Sequence, residues 1–109
     1  MKLPPVKGKK AFNELKDSKQ RAKGRNFSVV YAKSEVLGVS FVITKKIGGA
    51  VVRNSIKRRL RAAILDEVAS LLPGSYLIIV YKDLSGENYL DLKTELLKTM
   101  KKSFNSAHI

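Results

Sequence analysis

Between Val36 and Leu65 the chain carries seven basic residues and no acidic one: Lys45, Lys46, Arg53, Lys57, Arg58, Arg59 and Arg61. Five of them fall within residues 50–61, where the apolar residues recur at helical spacing. At the helical step of about 100° per residue, Asn54, Lys57, Arg58 and Arg61 share one arc beside the apolar stripe, and Arg59 projects from the other flank. Arg53 lies in line with the stripe, but in the first turn, where it reaches past the core edge. Like charges four residues apart, as in Arg53, Lys57 and Arg61, repel one another, and no acid is interleaved to pair with them. Such a face favours a polyanionic partner, and phosphate is the obvious one. The free amides of the helix start favour an anion too, and Lys45 and Lys46 lead into that end. Asn54 adds a hydrogen-bonding group suited to phosphate or a ribose hydroxyl.

Bond-breaking chemistry finds no comparable support. The one histidine, His108, stands one residue from the carboxyl end, where chains usually fray. The nine acids are scattered, with no spacing that would seat two metal ions for phosphodiester cleavage. Asp66 and Glu67 are adjacent, so on a helix they point about 100° apart and read as a solvated flank. No glycine-rich loop has the P-loop spacing, and Gly48-Gly49 reads as a tight turn or a close approach of backbone to phosphate. There is no Cys, which excludes disulfides and Cys-based metal sites and suits a reducing cytosol. The expectation is a chain without catalytic residues or metal ligands of its own.

The aromatics offer a second surface. Phe27 and Tyr31, with Phe12 from a preceding helix, either line an open sheet face that stacks single-stranded bases or belong to the core. Spacing alone leaves both open.

The elements that must position these residues follow from periodicity. One hundred and nine residues, 44% of them hydrophobic, suit one domain spanning 1–109 with a real core. The net charge of +13 predicts attraction to nucleic acid or anionic membrane without choosing between them. No stretch approaches the apolar length of a membrane span, so a soluble, cytoplasmic protein is expected. Residues 1–25 hold nine Lys/Arg against Glu14 and Asp17. There the reading is a flexible basic arm over 1–8, a short helix over 9–17 around Phe12 and Leu15, and a flexible basic connection over 16–25. Strands are predicted over 27–33, with Phe27, Val29 and Tyr31 on one face, and over 37–44, with a bulge near Gly38. A long helix from about Val52 to Leu72 buries Ile56, Leu60, Ala63, Ile64, Val68 and Leu71, and Pro73-Gly74 ends it. Residues 76–82 read as a central strand covered on both faces. A last helix over 89–104 turns Tyr89, Leu92, Leu96, Leu97, Met100 and Phe104 inward. The order gives an α/β (α+β) sandwich with helices packed on a small sheet.

The stretch Thr44 to Arg61, with its Lys45-Lys46 turn and Arg53-Asn54-Ser55-Ile56-Lys57-Arg58 core, resembles the signature of the bacterial ribonuclease P protein family. The likeness extends over roughly residues 9–104. It implies an αβββαβα order on a four-stranded sheet, with a left-handed βαβ crossover where chain chirality alone would favour the right-handed one. It implies further that the chain assists a catalytic RNA in removing the 5′ leader of precursor tRNA, with magnesium used by the RNA–protein holoenzyme and no cofactor in the protein. Precursor tRNA and ribonuclease P RNA are then the partners, with no membrane and no obligate protein partner. Carried over, the motif assigns Lys45, Lys46, Arg53, Asn54, Lys57, Arg58 and Arg61, with Arg59 as an added neighbour, to the catalytic RNA. A leader cleft between the first helix and the sheet would involve Phe12, Phe27, Val29 and Tyr31. Departures are Ser55, where many members carry Arg or Lys, and Lys16, where a second aromatic is common. The alternatives are a structural RNA-binding protein such as a small ribosomal protein and, with less support, a DNA-binding module lacking a helix-turn-helix.

Overall fold

The computed structural model describes residues 3–6, 8–84 and 86–105; His108 lies outside them. The chain runs α1 (Lys9–Asp17), β1 (Gln20–Lys23), β2 (Phe27–Lys33), β3 (Gly38–Ile43), α2 (Ala50–Asp66), a 3₁₀ turn (Val68–Ser70), β4 (Gly74–Val80) and α3 (Tyr89–Asn105). The strands form one sheet in the order β1-β2-β4-β3. β2 pairs antiparallel with β1 and β4, and β3 lies parallel to β4, so α2 is the crossover between two neighbouring parallel strands. The mixed α/β architecture on a four-stranded sheet is the expected one.

The sheet has two unlike faces. Phe27, Val29 and Tyr31 of β2, Val39 and Ile43 of β3, and Tyr76, Ile78 and Val80 of β4 point to one side. There they pack with Ile56, Leu60, Ala63 and Ile64 of α2 and Leu92, Leu96, Leu97 and Met100 of α3. On the other side Val30 and Ala32 form a smaller cluster with Leu15 of α1 and Val6. From Tyr76 to Val80 β4 is apolar, because it sits between two strands with cover over most of both faces.

Four local expectations change. Residues 20–23, expected within a loose connection, form edge strand β1, held in register from Gln20–Tyr31 to Lys23–Ser28. Its single apolar side chain, Ala22, gives too little alternation for a strand signature; pairing to β2 supplies the order. The arm expected over 1–8 is packed where described: Val39 N donates to Pro4 O (2.8 Å), Val6 N donates to Ser40 Oγ (3.2 Å), and Val6 is buried. Residues 3–6 thus wrap the β3 edge. Gly38 is no bulge, since it pairs with Ser75, and a Cβ there would stand 3.2 Å from Pro5 O of that wrapping segment. The long helix stops at Asp66, and the apolar spacing continues through the 3₁₀ turn, which still delivers Leu71 to the core.

Candidate nucleic-acid interface

Side-chain parity decides which part of the sheet a ligand can reach. Successive residues of a strand point to opposite faces, so the α1 side carries three rows across the strands. Ala32, Ser75 and Gly38 form the first row, and Arg21, Val30, Leu77 and Ser40 the second. Both are covered. Ala11 and Leu15 of α1 pack on Val30, Ala32 and Leu77, and Val6 reaches Ser40. Arg21 is tied down as well, its Nε and Nη2 donating to Ser18 O (2.8 Å) and Lys16 O (2.9 Å).

The third row, Lys23–Ser28–Ile79–Val42, is the least covered: Ile79 packs at the margin of the α1-side cluster and Ser28 is half-buried, while Lys23 and Val42 at its ends are exposed. Val42 is 41% exposed, and Tyr81, just past β4, is 46% exposed with Lys23 Nζ 5.5 Å from its ring centre. Tyr81 N still donates to Asn26 O, which anchors the backbone beneath the ring. On α1, the flank bearing Lys10, Glu14 and Ser18 borders Ala32 and Lys33. The opposite flank, with Lys9, Phe12 and Lys16, therefore faces the open row, and Phe12 is 39% exposed there. The result is a shallow groove with an apolar floor, an aromatic ring at each side and lysines along its rim.

Phe12 is thus the one cleft residue of the sequence reading that lies on this side. Phe27, Val29 and Tyr31 are on the opposite face, buried under α2 and α3, so none of them belongs to this groove. Filling the thicker two-helix layer takes the larger side chains, so β2 places its rings inward there and leaves Ser28, Val30 and Ala32 to the thin side. Tyr31 donates its hydroxyl to Pro73 O (2.6 Å), and Tyr76 donates its own to Leu72 O. Burial raises both phenols above the ordinary tyrosine pKa, with the Tyr31 phenol adding to the rise at Tyr76. Gly74, at φ 155°, is required here, because a Cβ would sit 2.4 Å from the Tyr31 ring.

The basic arc of α2 adjoins the groove around the β3 edge. Arg61 holds its guanidinium over the Phe41 ring of β3 at 5.5 Å from the ring centre, a partly shielded cation–π contact. Arg59, on the opposite flank, donates Nη1 to Leu84 O (2.8 Å) and Nη2 to Glu87 O. Its fork therefore clamps the loop before α3 and is not available to RNA, which corrects its assignment to the interface. With Arg59 turned to α3 and Arg61 to β3, Asn54 and Arg58 lie between them on the side of α2 away from the core, and Lys57 sits beside Arg61 nearer the buried stripe. Asn54, Arg58, Arg61, Lys45 and Lys46 are exposed, and Arg53 and Lys57 are half-buried. Arg53 Nε is buried without a hydrogen-bond partner. α2 starts at Gly49 with no side-chain cap and no acid in its first turn, so its free amides add to the positive field. Among the described residues Lys93 is the only cation within ion-pair distance of an acid, reaching Asp66 (3.3 Å) and Glu67 (3.8 Å). The groove and the arc are charged, unpaired and contiguous.

Among the described residues no three His, Cys, Asp or Glu side chains come together as a metal site. Nor does any described helix have the length and apolarity to cross a membrane.

Comparison with known proteins points the same way. A family model described as ribonuclease P matches residues 2–103. The ribonuclease P protein component of Thermus brockianus is 39% identical over 103 residues, which are 94% of this chain and 61% of that one. The chain thus spans about 61% of the length of the Thermus relatives it matches. The component from Streptococcus agalactiae is 31% identical, covering 88% of this chain and 90% of its own. In fold, the chain is similar to the Staphylococcus aureus RNase P protein (TM-score 0.77, 21% identity, 92% and 94% of the two chains covered). It is also similar to that of Thermotoga maritima (TM-score 0.74, 23% identity, 84% and 88% covered).

Proposed function

The chain belongs to the ribonuclease P protein family, and on that premise we propose that it is the protein subunit of a ribonuclease P holoenzyme. It binds the catalytic RNA through α2 and the single-stranded 5′ leader of precursor tRNA through the groove on the α1 side. The observation that carries this reading is the sparsely covered Lys23–Ser28–Ile79–Val42 row running, around the β3 edge, into an arc of unpaired cations.

The division of labour follows from the chemistry of each part. Asn54, Lys57, Arg58 and Arg61, with Lys45 and Lys46, supply charge and hydrogen-bond donors to RNA phosphates, and each neutralised phosphate releases condensed counterions. The groove supplies what single-stranded RNA uses, rings for base stacking between basic side chains. Phe12 and Tyr81 are those rings. In this reading the RNA carries out the hydrolysis and holds the magnesium ions, in the cytoplasm. The protein contributes by holding leader and catalytic RNA in one fixed relation, so that leader binding is no longer a separate encounter.

The test is precursor-tRNA cleavage at low magnesium by a bacterial ribonuclease P RNA, with and without this protein. Faster cleavage with both present, and none by the protein alone, is the expected result. Tight RNA binding without stimulation would instead identify a structural RNA-binding protein, and cleavage by the protein alone would overturn the assignment of chemistry to the RNA.

A further inference from the structure

The charge of α3 is segregated along its length. Its first half carries Asp91 and Glu95, whereas from residue 96 to residue 105 there is no acid and there are three lysines, Lys98, Lys101 and Lys102. All three are exposed, none is ion-paired among the described residues, and they stand three and four residues apart on one flank. The ordinary explanation for cations at a helix C-terminus is the helix dipole, whose effect fades beyond the last turn. Only Lys102 lies in that turn. Lys98 lies outside it and repels Lys102 at i,i+4 and Lys101 at i,i+3. The dipole therefore accounts for one lysine of the three.

These lysines also line a groove of about 690 Å³ between α3 and the end of α2, with Thr94 and Asn105 as hydrogen-bonding neighbours. Glu67 is the one acid on its wall, and Lys93 already holds it. The groove lies on the α3 flank at the C-terminal end of α2, whereas the arc starts at the other end and its last member, Arg61, faces β3. Along α2, Arg59 meets the loop at Leu84 and Glu87, Asp66 meets Tyr89 and Lys93, and Glu67 borders Lys98 and Lys101. The two helices thus run alongside in the same sense, and α3 continues past the C-terminal end of α2. Arg53 and Asn54 stand near the start of this 17-residue helix about 25 Å long, and Arg61, closer to its end, is turned to Phe41 of β3 and away from α3.

We propose that the Lys98–Lys101–Lys102 flank of α3 is a second RNA-backbone contact surface, so that the chain bridges two separate RNA segments. The inference rests on RNA being the partner and adds a second place where it is held. The contact is to phosphate, read as charge with hydrogen bonds from Thr94 and Asn105, and carries no base specificity. Its physical consequence is bivalency: with α2 anchored, the second segment meets the lysines at high effective concentration.

The test uses the full chain with all three lysines changed to Gln (Lys98→Gln, Lys101→Gln, Lys102→Gln), a substitution of nearly equal helix propensity; circular dichroism verifies the fold. Binding to ribonuclease P RNA is followed across salt concentrations, together with hydroxyl-radical footprinting and binding of a short single-stranded leader oligonucleotide. The expected result is a salt slope shallower by about two to three units, loss of one of two separated protected tracts, and unchanged oligonucleotide binding. An unchanged slope with an intact footprint would overturn the inference, and so would a proportional loss on the oligonucleotide. If the parent chain itself failed to bind the RNA, the proposed function would fall first, and the inference with it.

Discussion

The two faces of the sheet are built from alternate residues of the same strands, yet they serve different ends. Under α2 and α3 the face is closed, with Phe27, Val29, Ile78 and Tyr76 all fully buried. Under α1 it is covered only in part, and the row from Lys23 to Val42 is left half open beside Phe12 and Tyr81. A nine-residue helix cannot roof four strands, whereas two helices of 17 residues can. The difference teaches that helix length, more than strand composition, decides where this small fold is open to a ligand.

The largest effect that separates the faces is on stability. Phe27→Ala is expected to cost about 3–5 kcal/mol, as for other buried Phe truncations, measured by urea denaturation. A variant within 0.5 kcal/mol of the parent, as surface changes usually are, would mean that this ring is not core and would dissolve the contrast.

Next in size is the complementary experiment on the open face. Tyr81→Leu is expected to leave stability within about 0.5 kcal/mol and to weaken single-stranded RNA binding by about 1–3 kcal/mol, the worth of one stacked base. Fluorescence anisotropy with a labelled oligonucleotide reads the change.

The two flanks of α2 sharpen the comparison further. Arg59→Gln removes the fork that satisfies Leu84 O and Glu87 O, so destabilisation of about 1–3 kcal/mol is expected with little change in the salt slope of RNA binding. Arg58→Gln should do the reverse, leaving stability alone and making the slope shallower by about one unit. Equal behaviour of the two neighbours would show that the clamp and the arc are not distinct.

The smallest effect concerns the buried phenols. Tyr76 titrates above the ordinary tyrosine value in the folded chain because burial disfavours the phenolate. Its neutral form thus contributes stability that is fully present below the unfolded pKa of about 10 and lost as pH rises from there toward the folded value. Tyr76→Phe should flatten the alkaline fall in melting temperature above that pH.

Much of this is legible in the sequence. Helices α1 and α3 and the arc of α2 follow from 3.6-residue periodicity, and the wheel already set Arg59 apart from Lys57 and Arg61. Which side of the sheet is left open was not legible. β2 is apolar at Val29, Val30 and Tyr31 alike, and alternation cannot say which parity faces one helix and which faces two. The aromatics suggested an open stacking face, but ring volume served the thicker layer instead. Tyr81 went unnoticed as a surface ring because it continues an apolar strand; only its position past the last covered row exposes it. β1 was hidden for the opposite reason, since its order comes from pairing and not from its own side chains.

The most direct test of the central claim, that the α1-side groove holds the leader, compares two substrates of the reconstituted holoenzyme. Affinity for precursor tRNA with a long leader and for leaderless tRNA would be measured with the parent chain, Phe12→Ala and Tyr81→Leu. Loss of about 1–3 kcal/mol per ring on the leader-bearing substrate alone is the expected result. Equal losses on both substrates, or none on either, would contradict it.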